Sequence, residues 1–300
     1  MFPSTFSVSQ RFGANTNYSL LDSMFLMCIV TSSSGGGLFI DNANANADVQ
    51  KCSFVSCESS ANGGGLYISS NLLNVIDCCF LNCKAKTGSS SYSICQDSVI
   101  LRASMSFGIA THTGSANSDG TKHSFDQGNI SYHTSNYQIA IFFSMARTRF
   151  NCYFNHFVHS QDVQGCSLTI HYAKDAVIES VNIFNITTGT THALLFFGYN
   201  SKVSVFNSLL FKGTHPKGFS EYENKGSQVY QFINCSINFP LFDFGSWPKT
   251  GSSLNLSATF VPSVGNTHYD CYMFINRATF INQRFKSNMI FIVIFTSIVF

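Results

Sequence analysis

Three stretches near the start of the chain repeat one pattern of Phe, Cys and Gly at nearly constant spacing. They read MFLMCIVTSSSGGGLFI (24–40), CSFVSCESSANGGGLYI (52–68) and CCFLNCKAKTGSSSYSI (78–94). In each stretch a Phe precedes a Cys by three residues, and the successive Cys positions are 29 and 26 residues apart. Self-similarity at such a period indicates a solenoid, in which each repeat buries its hydrophobic face only against stacked neighbours.

A weaker form of the pattern continues through most of the chain. It consists of an aromatic or aliphatic residue two positions before an Asn, and the spacing of the pairs fits one unit of 22 to 30 residues. About ten such units would fill the chain. The pairs are Phe80/Asn82, Tyr153/Asn155, Ile183/Asn185, Val205/Asn207, Phe232/Asn234 and Phe280/Asn282.

The segments within each unit favour short strands. Stretches such as GGGLYI (63–68), DAVIESVNIF (175–184) and KVSVFNSLLF (202–211) are β-branched and aromatic, and Ser, Asn and Gly separate them. Helical repeats run about 33 residues or more and need long 3.6-residue periodicity, which is missing here. Several short strands joined by tight turns describe one coil of a parallel β-helix. We therefore predict an all-β fold, a parallel β-helix, and the usual hand of parallel crossovers favours a right-handed one.

Stacked coils bring equivalent residues together along the axis, about 4.8 Å apart. We expect Phe25, Phe54 and Phe80 to point inward and stack on one another. Cys28, Cys57 and Cys83 should then form a ladder, since their Cα separations fall inside the disulfide range of about 4.4 to 6.8 Å. Two states of this ladder remain open: buried reduced thiols, or at least one disulfide between coils.

The turns of each coil also have predictable chemistry. The Gly triplets 35–37 and 63–65 suit a corner that needs positive φ or a close approach to the next coil. Asn at a recurring turn position tolerates left-handed backbone angles and can hydrogen-bond to its own backbone and to the next Asn in the ladder.

The organisation along the chain follows from these patterns. We assign residues 1–23 to an N-terminal cap or degenerate coil, and read LLDSMFLMCIV (20–30) as a strand rather than a secretory signal. Residues 24–285 form the β-helix, which is most regular over 24–94. Residues 286–300 are a hydrophobic segment, KSNMIFIVIFTSIVF.

Three interpretations of residues 289–300 stay open. Twelve helical residues span only about 18 Å, against a hydrocarbon core of about 30 Å. The segment is therefore a truncated transmembrane helix, a lipid-anchor signal whose tail is removed, or a final buried strand. Because the stretch lacks polar alternation, we favour membrane attachment.

Composition excludes two broad classes. Charged residues make up only 11% of the chain and hydrophobic ones 45%, so the chain is not a disordered polymer. The net charge is +2 and Lys and Arg are scattered, whereas nucleic-acid binding needs a basic stripe. We expect no nucleic-acid partner.

Candidate catalytic and metal-binding groups are sparse. The acid pairs Asp41/Asp48 and Asp119/Asp126 lie in stretches rich in Ser, Asn and Gly, so we expect solvated turn residues rather than the facing carboxylates of glycoside hydrolysis. The nearest approach to lyase chemistry is the group His171, Lys174 and Asp175. A possible metal set is His156, His159 and Asp162, although structural or surface histidines fit this spacing better. We assign no catalytic residue, cofactor or metal.

Five Asn-x-Ser/Thr motifs could accept glycans if the chain is extracellular. Asn185 and Asn234 coincide with the proposed Asn positions of the coil, so we expect them to stay unmodified. The remaining candidates are Asn17, Asn129 and Asn255.

The Phe-x-x-Cys and Gly-Gly-Gly-Leu-Phe/Tyr-Ile elements between Met24 and Ile94 resemble the Phe-x-x-Asn and Gly-Gly-Ala-Ile repeats of the polymorphic outer-membrane-protein family and of the large surface-protein families of trichomonad parasites. The resemblance implies a right-handed β-helix of the pectin-lyase-like type, carried as an adhesive ectodomain at the membrane. This chain departs from the family because Cys takes the Asn place and no copy after Ile68 keeps two adjacent glycines.

The resulting expectation is a non-enzymatic protein of the cell surface. It would contact a host-surface protein or glycan and attach to the membrane through its C-terminal segment. The alternatives are a carbohydrate-active β-helix enzyme, a polysaccharide lyase or hydrolase, and a decayed or fragmentary family member without independent function.

Overall fold

The computed structural model describes residues 4–13, 17–135, 142–153, 156–158, 161–162, 168–170, 172–188, 193–197, 202–212, 217–221, 229–233 and 235–237. Within these ranges every regular element is a β-strand, and no helix has the length and hydropathy needed to cross a membrane. The strands pair in parallel with their equivalents in the coils before and after. The predicted right-handed parallel β-helix is confirmed.

Each turn of the solenoid passes through three faces. Face 1 is a 14-stranded parallel sheet. Its four longest strands have 11 or 12 residues and each runs across the whole width of the face. Its strands are Gln10–Phe12, Tyr18–Leu21, Leu38–Asp41, Asn46–Gln50, Leu66–Ile76, Ser91–Leu101, Ala116–Asp126, Phe142–Tyr153, Leu168–Ile170, Asp175–Glu179, Ala193–Phe197, Lys202–Phe206, Lys217–Glu221 and Val229–Ile233.

Faces 2 and 3 follow in each turn and join through one strand into a single 16-stranded sheet. The strands of face 2 are Ser4–Phe6, Ser23–Leu26, Ser53–Val55, Cys79–Leu81, Ser104–Ser106, Asn129–Ser131, His156–Val158, Asn182–Thr188, Leu209–Lys212 and Ser236–Ile237. Those of face 3 are Ile29–Val30, Glu58–Ser59, Lys84–Thr87, Ile109–Thr113, Thr134–Ser135 and Gln161–Asp162. These six face 3 strands mark about six complete turns in the described residues, against ten predicted for the whole chain.

The predicted Phe ladder forms the spine of the core. The ring centroids of Phe25 and Phe54 lie 4.7 Å apart and those of Phe54 and Phe80 lie 4.8 Å apart, with interplanar angles of 4° in both pairs. All three side chains are buried, and the column continues in register with Met105 and Ile130. Face 2 therefore presents one apolar residue per coil to the interior, as predicted.

The cysteine ladder is also present, and its thiols are reduced. Cys28, Cys57 and Cys83 are fully buried and free. The Sγ of Cys57 donates to the backbone carbonyl of Phe25 at 3.5 Å, and the Sγ of Cys83 donates to that of Phe54 at 3.4 Å. A hydrogen bond with Cys57, together with burial, raises the pKa of Cys28. The three cysteines thus act as small core residues whose thiols form hydrogen bonds to the preceding coil.

Two corners of each turn hold non-glycine residues in the left-handed backbone region. The corner between faces 1 and 2 and the corner between faces 2 and 3 each turn the chain at one residue with positive φ. They hold Asp22, Lys51, Asp77, Arg102, Gln127, Ser180 and Asn207 at the first corner, and Met27, Ser56, Asn82, Phe107 and Tyr132 at the second, with φ between 47 and 55°.

This arrangement corrects one part of the predicted Asn pattern. Asn82 and Asn207 both adopt positive φ, as expected, but they occupy different corners of the coil. The pairs Phe80/Asn82 and Val205/Asn207 are therefore not equivalent positions. Asn185 follows Ile183 by two residues in the strand that joins faces 2 and 3, so it occupies the same place in the coil as Asn82, beside a register irregularity. The amide of Asn82 donates to Ser56 Oγ of the previous coil at 3.2 Å, which is the predicted kind of bond with a different partner. Asn155, Asn234 and Asn282 lie outside the described residues.

The glycine triplets form the third corner for two separate reasons. The first residue of this corner is Gly35, Gly63 or Gly88 in successive coils, the last followed by Ser89 and Ser90. The φ values of these glycines are 73, 67 and 62°, so this position needs the left-handed region. The second position needs space: a Cβ on Gly64 would lie 2.3 Å from the carbonyl oxygen of Ser89. Backbone of the next coil leaves no room for a side chain there.

This crowding generates a stability prediction. We expect Gly64→Ala to lower the free energy of unfolding by about 1–3 kcal/mol, because backbone cannot rotate away from the added methyl as a side chain could. Urea unfolding followed by circular dichroism measures the change. The matched control is Gly13→Ala, whose Cβ would meet nothing within 4 Å. Equal unfolding midpoints for the two variants would contradict the close coil packing.

Candidate binding surface

Outward side chains at equivalent positions of successive coils form columns along the solenoid axis. Because the coils repeat the same backbone, each column shows which residue types the fold tolerates at that position. A residue that departs from its column in size and polarity is therefore informative about function rather than folding.

One outward column on face 1 is an aromatic stack. The ring centroids of Phe39 and Tyr67 lie 5.1 Å apart and those of Tyr67 and Tyr92 lie 5.6 Å apart, with interplanar angles of 11° and 3°. The Arg11 guanidinium lies 3.9 Å from the Phe39 ring centroid. Burial raises the pKa of both tyrosines, and Asp41 adds to this effect at Tyr67. Since the ring faces cover one another, this column stabilises the stacking of coils.

A second group of large apolar side chains is open to solvent at the corner between faces 2 and 3. Phe107 and Tyr132 occupy this corner in adjacent coils, are 51% and 50% exposed, and stack with centroids 4.9 Å apart. Ile109 begins the neighbouring face 3 strand and is 38% exposed. We name Phe107, Ile109 and Tyr132 the aromatic corner.

The fold does not require aromatic residues at the aromatic corner. In the two preceding coils the same position holds Ser56 and Asn82, whose φ angles of 52° and 53° are close to the 55° of Phe107. Bulky side chains are unusual in the left-handed region, where Asn is favoured. Large exposed rings therefore stand where the backbone alone favours a small polar residue.

Polar groups lie beside the aromatic corner. Lys84 pairs in register with Ile109, and Glu58 pairs with Lys84 one coil further down. Both side chains are exposed. The amide of Asn82 is turned towards Ser56, in the direction away from Phe107. The aromatic corner thus combines apolar rings with a charged and amide-bearing rim.

Several surface charges are paired between coils. Asp77 accepts two hydrogen bonds from Arg102, at 2.5 and 3.0 Å, across the corner between faces 1 and 2. On face 1, Lys122 lies 3.6 Å from Asp97 and Arg147 lies 3.8 Å from Asp119. These pairs link neighbouring coils and leave the local charge balanced.

The predicted acid pairs occupy strands rather than the expected turns, because coil stacking imposes strand geometry on Ser- and Asn-rich sequence. Asp119 and Asp126 lie on one strand, Ala116–Asp126, seven residues apart and thus roughly 20 Å along it. Glycoside hydrolysis needs carboxylates about 5 to 9.5 Å apart. Asp126 instead accepts hydrogen bonds from Ser124 and from the Tyr153 backbone. Asp41 and Asp48 lie on the separate strands Leu38–Asp41 and Asn46–Gln50.

The other predicted chemical groups are only partly described. Lys174 and Asp175 are exposed, and Asp175 pairs in register with Arg149, whereas His171 lies outside the described residues. The side chains of His156, His159 and Asp162 also lie outside them. Among the side chains that are described, no three His, Cys, Asp or Glu residues lie close enough to hold a metal ion.

The predicted glycan acceptors differ in environment. Asn17 is exposed, and its Oδ1 accepts a hydrogen bond from the Asn46 backbone at 3.0 Å. Asn129 begins the face 2 strand Asn129–Ser131 and is partly exposed. Asn255 lies outside the described residues.

Sequence reasoning missed a polar segment of the core. Ser98 Oγ lies 2.5 Å from His123 Nδ1, and Ser93 Oγ lies 2.9 Å from Ser118 Oγ, with all four residues buried. Burial lowers the pKa of His123 to about 3 and that of His133 to about 3, so both imidazoles are neutral. Local sequence gave no signal for this segment, because Ser118 and His123 are five residues apart and simple strand alternation would point them to opposite faces.

These buried histidines generate a pH prediction. A His whose pKa is lowered on folding stabilises the protein fully above its ordinary pKa of about 6.5, and this stability is lost as pH falls towards 3. Each unit of difference corresponds to about 1.4 kcal/mol. We expect His123→Phe to flatten the dependence of the urea midpoint on pH between 6.5 and 4. His112→Gln, at an exposed position, should leave the slope unchanged. Equal slopes in the wild type and His123→Phe would contradict the assignment.

The fold and the surface define a class: a right-handed parallel β-solenoid whose outward columns carry stacked aromatic residues. No protein-family model, curated protein or solved structure matches the chain. The class therefore rests on the strand pairing and on the core columns themselves.

Proposed function

We propose that this chain is a non-enzymatic cell-surface protein that binds a host-surface protein or glycan through the aromatic corner. The observation that supports the proposal is the half exposure of Phe107 and Tyr132 at a corner where the same chain elsewhere uses Ser56 and Asn82. Contiguous apolar groups on a surface, rimmed by polar residues, are typical of interaction sites.

A glycan fits the chemistry of this surface well. The apolar face of a sugar ring packs against aromatic carbon, while its hydroxyl groups need hydrogen-bonding partners at the edge of the contact. Phe107 and Tyr132 supply the aromatic carbon, Lys84 supplies a charged partner on the adjacent coil, and Glu58 supplies one on the coil beyond it. A protein loop with an exposed apolar side chain would use the same features.

The location forms part of the proposal. The resemblance of the Phe-x-x-Cys and Gly-Gly-Gly-Leu repeats to the polymorphic outer-membrane-protein family favours a pectin-lyase-like ectodomain at the cell surface. The apolar stretch 289–300 would attach it to the membrane, either as part of a transmembrane helix or as a lipid-anchor signal. A low-charge surface rich in Ser and Asn suits an extended, displayed rod.

One experiment tests both location and binding. Intact cells expressing the full chain are treated with a membrane-impermeant biotin reagent and then incubated with a glycan array and with host cells. We expect the chain to be labelled and to bind. The double variant Phe107→Asn/Tyr132→Ser should be labelled equally but bind at least tenfold more weakly, a loss of about 1.4 kcal/mol or more.

The substitutions suit the backbone, because Asn and Ser already occupy this corner in earlier coils. The matched control is Met27→Ser, which removes a non-aromatic apolar side chain, 60% exposed, from the same corner three coils before Phe107. It should bind like the wild type. Unreduced binding by the double variant would exclude the aromatic corner, and a chain that resists labelling on intact cells would exclude display at the surface.

A further inference from the structure

The solenoid interior changes character in two adjacent coils, between residues 91 and 135. Three inward columns of face 1 begin with large aliphatic residues and then shift to small or polar ones. In register, they run Leu66–Ser91–Ala116, Ile68–Ser93–Ser118 and Leu73–Ser98–His123. The first and third columns continue with Phe142 and Phe150 one coil later, and the second returns to Ile170 two coils later.

The same two coils are polar around face 3. Ser89 and Ser115 are buried at the corner between faces 3 and 1, and His133 and Ser135 are buried at the start of face 3 and within it. Ser89 Oγ lies 3.4 Å from His133 Nδ1. Gly108 takes the place that Cys83 holds one coil earlier, and a Cβ on it would lie 2.4 Å from Ser89 Oγ and 2.9 Å from His133 Nδ1. The interior is thus lined with hydroxyl and imidazole groups on two sides.

Some of these buried polar atoms still need hydrogen-bond partners. His123 Nε2, Ser91 Oγ and Ser135 Oγ are inaccessible to solvent, and no group in the described part of the chain bonds to them. A buried donor or acceptor that is left unpaired lowers stability, so native proteins nearly always satisfy such atoms. Small side chains in place of Leu and Ile also leave volume for a partner.

We propose that the solenoid interior of residues 91–135 binds ordered water molecules that hydrogen-bond to His123 Nε2, Ser91 Oγ and Ser135 Oγ. Water fits because it donates and accepts, as hydroxyl groups and a neutral imidazole require. Polar lining and two to four partners distinguish a hydrated site from an apolar cavity, which stays dry. An ion is a poorer fit, because the neutral lining groups named above offer it no opposite charge.

A crystal structure of the wild-type chain, at a resolution that shows ordered solvent and under xenon pressure, tests the proposal directly. We expect water within hydrogen-bond distance of His123 Nε2 and Ser91 Oγ, and xenon excluded from this segment. Xenon bound between Ser91 and Ser118 would overturn the proposal. So would direct pairing of these polar atoms with protein groups and no water between them.

A variant tests it independently in solution. Ser91→Leu/His123→Phe continues the columns of Leu66 and Phe150 and removes two of the three proposed water ligands. Oxygen-17 relaxation dispersion of water should show long-lived internal water in the wild type and at least a twofold smaller amplitude in this variant. The control Ile100→Val keeps an apolar core position and should retain the full amplitude. No dispersion in the wild type, or equal amplitudes in all three, would contradict the proposal. If the variant does not fold, the wild-type crystal decides.

Discussion

The structure depends on the in-register stacking of one coil on the next. A single coil has an apolar inner face of only a few residues, and this face is covered only when neighbours lie above and below it. Phe25, Phe54 and Phe80 show the geometry most clearly, since their rings lie nearly parallel at the spacing of the strands. The cysteine thiols add hydrogen bonds from each coil to the one below.

Stacking also fixes the corners, and through them the surface. At these corners, residues as different as Lys51 and Arg102, or Ser56 and Phe107, have nearly the same φ. The fold therefore makes few demands on the outward side chains of a corner. That freedom is why the exposed rings of Phe107 and Tyr132 point to a binding role, whereas the stacked rings on face 1 contribute to stability.

Much of this architecture was predictable from the repeat, because the inward Phe and Cys and the corner glycines recur at nearly constant spacing. Phe54, Cys57 and the glycines 63–65 all lie where the spacing placed them. The corner residues were harder, since two corners five residues apart both accept Asn, so Asn82 and Asn207 looked equivalent when they are not. The acid pairs misled for a related reason: Ser- and Asn-rich sequence forms strands here because its neighbours in the stack impose them.

The buried polar residues of the core and the exposed aromatic residues of the surface could not be predicted from local sequence. Ser118 and His123 lie inward only because the register of face 1 puts them there, and their polarity alone predicted the opposite. Phe107 and Tyr132 would have been assigned to the core by composition, although the backbone turns them outward. In both cases the position in the coil overrides the preference of the residue.

Disulfide trapping across face 1 tests the central claim, the coil register, most directly. Tyr67 and Tyr92 are register partners, so the double variant Tyr67→Cys/Tyr92→Cys places two Cα atoms about 4.8 Å apart, within disulfide range. In Tyr67→Cys/Ile94→Cys the separation is about 8 Å, beyond that range. After mild oxidation, peptide mapping by mass spectrometry should find the engineered disulfide in the first variant and not in the second. Equal cross-linking of both, or preference for the second, would contradict the stacked register on which the structure depends.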